Sequence, residues 1–377
     1  MLPGRIIALG VLSCSIALAQ QIERTQTANA KDGAAQLKLG EKLEDDGQAS
    51  EAFEALTAAV RLLPKSAEAH NARGEALADL NSLKAARSEF EKALRYDPAM
   101  PMAHLNLGMV LAQTEELAVA AKHLDFAVAK LRRSEDLARA HYLRAKVYTD
   151  LSQVERARTE LQLALKLEPE FGAAWSDLGQ ALKTLLDDKG ALAAFEKAVA
   201  LSPNDPVALM RLGVELYREG EYKAAIEQLQ KSYQINPEDQ TTLNTLQSAL
   251  RADGQTAAAN EVKQRLVDVL HERDVNTQNQ LAADRLSDEA TRLEKNGDLK
   301  GSADRAQQGV VLDPDNILIR LKLADALLKL GKWKEGLAQL VEAMRRQPGD
   351  AVLEEKWEDA LRRAPAELRA EFGSQQN

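Results

Sequence analysis

The chain has 377 residues, with 49 Lys or Arg against 58 Asp or Glu, a formal net charge of −9 and a single cysteine. Acidic and basic residues interleave and no basic run offers a phosphate track, which argues against a nucleic-acid partner. One cysteine excludes a disulfide framework, so stability has to come from packing.

Residues 1–19 read as a secretory leader. Arg5 precedes a largely apolar stretch from Ile6 to Leu18, and Ala17-Leu18-Ala19 places small residues at the cleavage offsets. The stretch is shorter than the roughly 20 residues that span a bilayer. Cleavage after Ala19 would remove Cys14 and begin a periplasmic or secreted chain at Gln20, with no membrane span in the mature chain. Val11-Leu12-Ser13-Cys14 offers the alternative of a weak lipobox, with the protein anchored as a lipoprotein through Cys14. Residues 20–32 are small and polar, as expected of a disordered lead-in.

Beyond this point prolines recur 34 residues apart, at Pro64 and Pro98, at Pro169, Pro203 and Pro237, and at Pro314 and Pro348. The two longer gaps each hold one more unit that lacks its proline. Nine units result: 33–66, 67–100, 101–134, 138–171, 172–205, 206–239, 240–273, 283–316 and 317–350. Glu135 to Leu137 form an insertion between the third and fourth.

The same residue types return at fixed offsets within each unit. The eighth position holds Gly40, Gly74, Gly108, Ala145, Gly179 and Gly213, and the twentieth holds Ala52, Ala86, Ala120, Ala157, Ala191 and Ala225. Small side chains at both offsets let paired helices approach closely. Leu43, Leu77, Leu111, Leu182 and Leu216 recur at the eleventh, as the apolar body of a first helix. Gly47, Gly220, Gly254, Gly297 and Gly331 mark the turn after it, where a left-handed residue is needed. The proline closes the second helix because it lacks the N–H of the next turn.

The chain therefore divides into an array of seven units over 33–273, a connector at 274–282, units eight and nine over 283–350, and a capping helix and tail at 351–370. The text from Val267 to Ala282 is polar but free of Gly and Pro, so it reads as an extended helix that joins two arrays and leaves room for a hinge. Two units depart from the pattern. Lys263 stands where a Leu or Phe is expected in 240–273, and Ala306 and Gly309 replace larger residues in 283–316, so both should be softer than their neighbours. In the cap, Val352, Leu353, Trp357 and Leu361 form one apolar stripe.

These motifs resemble the tetratricopeptide repeat family, whose unit pairs an aromatic residue and Leu-Gly in one helix with Ala, Phe and Pro in the next. Unit 172–205 carries Trp175, Leu178-Gly179, Ala191, Phe195, Ala198 and Pro203. The resemblance implies an all-α, right-handed α-solenoid of about nine 34-residue helix-turn-helix repeats, closed by a C-terminal capping helix.

No motif with enzymatic spacing emerges, and none binds a cofactor. Gly331-Lys332-Trp333 lacks the spaced glycines of a phosphate loop, and His271-Glu272 lacks the second histidine of a zinc helix. His70, His104 and His141 share the fourth position of three successive units, where Trp175 follows them. A whole helix pair separates such equivalents, too far for one metal, so these side chains are expected to fill the gap between helices.

In proteins of this family the second, fifth, ninth and twelfth positions of each first helix line the concave groove. Met102, Leu105, Met109, Tyr142, Val207, Met210, Val214 and Tyr217 are the groove candidates, with Asn71, Glu75, Ser176 and Gln180 at matching places. Exposed apolar residues, Met above all, suit adaptable contact with an apolar peptide or helix. The alternative is that they pack as additional core. Some relatives clamp acidic peptide C-termini with Lys, Asn and Arg. Only Asn106 and Arg139 match that clamp here, while Asn71, Glu75 and Leu143 occupy required places, which disfavours a cytosolic adaptor. The resemblance implies a non-catalytic scaffold of the bacterial envelope with protein or peptide partners. The alternatives are a lipid-anchored assembly factor for a secretion, pilus or outer-membrane machine, and an accessory subunit of an envelope enzyme or carbohydrate-binding complex.

Overall fold

A computed structural model describes residues 29–373, and the leader 1–19 lies outside the described residues. Of the expected lead-in, residues 29–32 are helical and open the first helix, α1 (29–45). It is followed by α2 (Ala49–Leu62), α3 (Ala67–Asp79), α4 (Leu83–Tyr96), α5 (Pro101–Gln113) and α6 (Leu117–Lys130). Then come α7 (Ser134–Asp150), α8 (Val154–Leu167), α9 (Gly172–Thr184), α10 (Asp188–Leu201), α11 (Pro206–Arg218), α12 (Tyr222–Ile235) and α13 (Gln240–Ala252). The chain continues with α14 (Thr256–Lys295), α15 (Leu299–Leu312), α16 (Ile317–Lys329), α17 (Trp333–Arg346), α18 (Ala351–Arg363) and α19 (Ala366–Gly373). No strand occurs among the described residues.

Contacts divide the chain into two compact units. One comprises the residues up to Glu116 with Gln347–Ala351, the other Leu117–Arg346 with the residues from Val352 on. Within each, consecutive helices pack, and so do successive first helices such as α3 with α5, or α9 with α11 and α11 with α13.

Each repeat turns between its two helices in the same way. The fifteenth residue, which is Gly47, Asn81, Glu115, Ser152, Leu186, Gly220, Gly254, Gly297 or Gly331, has φ between 57° and 85° in all nine. The next residue donates its N–H to the carbonyl of the eleventh, as from Gln48 to Leu43 and from Asp187 to Leu182, at 2.7–2.9 Å. This closes the orphan carbonyls of the first helix. Four turns thus adopt the left-handed conformation without glycine, at an expense of roughly 1–2 kcal/mol each for an ordinary L-residue.

The eighth position sets how close the second helix comes. A Cβ on Gly74 would fall 2.5 Å from the Phe90 ring, and one on Gly179 2.6 Å from that of Phe195. Both rings are buried, so the missing side chain of one helix is the space that the aromatic of its partner fills. Gly309 has a comparable role. Its Cβ would overlap Ile319, which reaches over from α16 into the buried cluster around Ala306 and Leu323.

The fourth position does more than fill a gap. His70 Nε2 lies 3.1 Å from the Pro64 carbonyl, His104 Nε2 3.2 Å from that of Pro98, Trp175 Nε1 2.8 Å from that of Pro169, and Arg320 Nη2 2.6 Å from that of Pro314. Four different donors therefore tie a first helix to the carbonyl of the proline that ended the preceding repeat. In two repeats the fourth-position side chain meets a buried carboxylate. His70 Nδ1 is 2.6 Å from Glu89, which Arg73 and Lys92 also contact, and His141 Nδ1 is 2.7 Å from Glu160, which Arg144 contacts. Burial alone would raise Glu89, but the hydrogen bonds from His70 and Arg73 outweigh it and hold its carboxyl down at about 2. Glu160 is lowered by the corresponding bonds from His141 and Arg144 against the same opposing burial.

Three features depart from the regular plan. The insertion at 135–137 is absorbed into α7, which has 17 residues where α9 and α11 have 13. With no proline to stop it, the second helix of unit 240–273 runs on as the 40-residue α14, a rod of about 60 Å at helical rise. Residues 270–278 of this helix are exposed on every side. The C-terminal region forms two helices instead of one, with Trp357 of α18 and Phe372 of α19 joining Leu337 and Leu340 in a buried cluster.

Two outcomes are expected. Leu186 is 86% exposed and has φ 64°, so Leu186→Gly relieves strain without removing packing and should raise the unfolding free energy by about 1 kcal/mol in denaturant titration. Because Glu89 is depressed on folding from 4.5 to about 2, its contribution is full above the unfolded value and is lost as pH falls through the folded one. Glu89→Gln should therefore destabilise by roughly 3 kcal/mol at neutral pH, and the gap to wild type should narrow as pH drops below about 4.5.

Candidate functional site

The first helices of three repeats in the second compact unit surround a cavity of about 460 Å³. α7 contributes Tyr142, Lys146 and Thr149, at its fifth, ninth and twelfth repeat positions. α9 contributes Ala173, Ser176 and Gln180, at its second, fifth and ninth, and α11 contributes Val207 at its second. Asp177 and Arg211, both sixth-position residues, complete the wall.

These side chains hold one another. Arg211 Nη1 donates to Ser176 Oγ at 2.8 Å and to Asp177 Oδ1 at 2.7 Å, which joins α11 to α9 across the cavity wall. Asp205 accepts from the Val207 N–H at 2.9 Å and so fixes the start of α11. The Tyr142 ring packs on Phe171 with centroids 4.8 Å apart, and Lys146 Nζ lies 5.8 Å from its centre. Burial pushes the Tyr142 hydroxyl above its ordinary range, and the charge of Asp177 adds to the shift, so Tyr142 stays a neutral donor. The site thus offers hydroxyl, amide and charged groups beside one aromatic ring and a Val207 side chain that is 46% exposed. Such a surface can take both the main chain and the side chains of a polypeptide. Among the described residues no cluster of His, Cys, Asp or Glu is arranged to hold a metal.

Of the groove candidates, Tyr142 and Val207 line this cavity. Met210, Val214 and Tyr217 are half-buried on α11, with Tyr217 set 5.8 Å from the Tyr222 ring and against the apolar cluster of α12 and α13. Met102 and Met109 are half-buried on α5 in the first unit. Leu105 requires correction: it has no exposed surface and belongs to the core. A fifth-position side chain as large and apolar as leucine turns here into the packing between helices, whereas Tyr142 at the same position is only half-buried.

The sixth position was not among the expected groove sites, yet it supplies the Asp177–Arg211 pair. Its signal was present as opposite charges at one offset in adjacent repeats. The wall is also more polar than a Met-rich groove would be.

The tetratricopeptide repeat model matches residues 37–94, 71–138, 142–206, 189–240 and 287–351. No curated protein matches the chain. Among solved structures, PilF of Pseudomonas aeruginosa is 18% identical, over 58% of this chain and 97% of its own, with a TM-score of 0.51. PilW, a widely conserved type IV pilus biogenesis factor, is 19% identical, over 58% of this chain and 98% of its own, also at 0.51. MamA from Desulfovibrio magneticus RS-1 is 27% identical over 46% of this chain and 96% of its own, at 0.40. At such identities the two pilus proteins share the fold with this chain and nothing finer. Since the repeat model matches well over half of its length, the chain belongs to the tetratricopeptide repeat family.

Proposed function

We propose that the chain is a non-catalytic scaffold of the bacterial cell envelope that holds an extended segment of a partner protein against α7, α9 and α11. Protein or peptide partners follow from the repeat fold itself. The observation that carries the finer reading is the convergence of equivalent repeat positions on one cavity, with Tyr142, Gln180 and Val207 accessible and Arg211 fixed by Ser176 and Asp177. Preorganised polar groups of this kind hydrogen-bond a polypeptide main chain without having to be ordered on binding. Export rests on the apolar stretch from Ile6 to Leu18 and on Ala17-Leu18-Ala19.

Pull-down from envelope fractions with wild type and with the Tyr142→Ser/Lys146→Glu double variant tests the site. A protein held by wild type should be lost by the variant, whose melting temperature should fall by only a few degrees because Lys146 is exposed and Tyr142 half-buried. Equal capture by both forms would remove the cavity from the binding reading. The mass of the purified protein tests the location, with a mature chain that begins at Gln20 expected. A diacylated chain beginning at Cys14 would make it a lipid-anchored assembly factor, and retained Met1 would end the envelope assignment.

A further inference from the structure

The long helix α14 leaves one of its faces open to solvent. Val267, Leu270, Val275 and Leu281 are 39–54% exposed there, four large apolar side chains within about four turns. At about 100° per residue, Lys263, Val267, Leu270, Asp274, Leu281 and Asp288 fall within about 60° of one another, and all six are exposed. The residues buried on the same stretch, Val269, Ala283 and Ser287, lie on the opposite side. Val267, Asp274, Leu281 and Asp288 recur at every seventh residue, and Lys263 and Leu270 stand four residues before the first two of them. That is the spacing of a seam between two helices.

The seam complements itself. When two copies of α14 are laid antiparallel with Leu270 of each opposite Leu281 of the other, Lys263 of each comes opposite Asp288 of the other. Both ends of the contact then carry a pair of opposite charges, related by the two-fold axis. A shift of seven residues in either direction sets Leu270 against Asp274 or against Asp288. A parallel alignment sets Lys263 on Lys263 and Asp288 on Asp288, where like charges repel. At the centre of the antiparallel register Asp274 meets Thr277, while Gln278 of its own helix donates to it at 2.9 Å and Arg273 of the other copy stands one turn away. A polar residue at such a seam position weakens the contact but fixes its register.

We propose that residues 263–288 of α14 are the interface of a weak homodimer, in which the helices of two copies pack antiparallel across a two-fold axis. Charge complementarity selects a second copy as the occupant, since one segment supplies both Lys263 and Asp288 in the register that also joins Leu270 to Leu281. The area sets the strength. The segment extends about 39 Å at helical rise and offers a strip about 10 Å wide, so each copy buries roughly 400 Å². A stable interface of standard size takes roughly 800 Å² from each partner. The dimer therefore assembles only as the protein is concentrated, and dissociates on dilution.

Sedimentation equilibrium of the purified protein from about 1 to 500 µM tests the interface, with a monomer–dimer transition and a Kd of roughly 10–100 µM expected. Leu270→Lys/Leu281→Lys should raise that Kd by about tenfold or more, with helicity unchanged because both side chains are exposed. Lys263→Asp and Asp288→Lys, each of which sets like charges against one another at both ends, should raise it by roughly fivefold. An equimolar mixture of these two charge variants should dimerise as wild type does, because the mixed dimer regains an opposite pair at each end. Positions 263 and 288 lie about 38 Å apart on one helix, so recovery on mixing can come only from contact between copies. A protein that stays monomeric over the whole range would overturn the proposal and leave the face to solvent or to a different chain. A dimer indifferent to the leucine changes would place the interface elsewhere, and charge variants that gain nothing on mixing would exclude the antiparallel register; either result overturns it as well.

Discussion

The left-handed residue at the fifteenth position of each repeat is the constraint from which the other regularities follow. It reverses the chain in a single step, so that the second helix returns along the first with its twenty-fourth residue opposite the eighth. With that register fixed, the eighth residue has to be small wherever the twenty-fourth is a ring, as for Gly74 under Phe90 and Gly179 under Phe195. Where glycine is absent, the turn persists at Asn81, Glu115, Ser152 and Leu186, because the packing of two helices outweighs the strain of one residue. Local preference is thus overruled only where a larger burial term depends on the outcome.

This ordering explains what could be read in the sequence. The repeat period, the helix pairs, the glycine turns and the exit prolines are local signals, each with its own steric cause, and they locate the helices within a few residues. The four non-glycine turns were silent because nothing in Asn81 or Leu186 by itself requires a positive φ; only the equivalence of the repeats does. The fate of residues 135–137 was silent too, since three added residues fit a loop or a further helical turn equally well, and α7 takes them as a turn. The polar text between Val267 and Ala282 was legible as helix because it contains neither Gly nor Pro, and α14 runs through it without interruption.

The candidate site was less legible than the fold. Position numbers located the cavity wall at Tyr142 and Val207 but also selected Leu105, whose side chain has no exposed surface. Offsets describe where a Cα lies on a helix, whereas exposure depends on which way a particular side chain turns and on what its neighbours leave open. The histidines show the same limit. Their shared fourth position was visible, yet the hydrogen bond from that position to the proline carbonyl six residues earlier needs two repeats in contact before it exists. Arg320 and Trp175 make that bond as well, so the position selects a long donor of no particular type.

Charge then separates two kinds of carboxylate in this chain. Glu89 and Glu160 face the interior between helices, and each is met by a histidine and an arginine of its own repeat, so their burial is compensated within the fold. Glu44 is half-buried on a first-helix face, where burial first, and then Asp79 and Glu75, raise its carboxyl to about 7. The paired Asp177 and Arg211, by contrast, compensate each other across adjacent repeats and hold the wall of the cavity in shape.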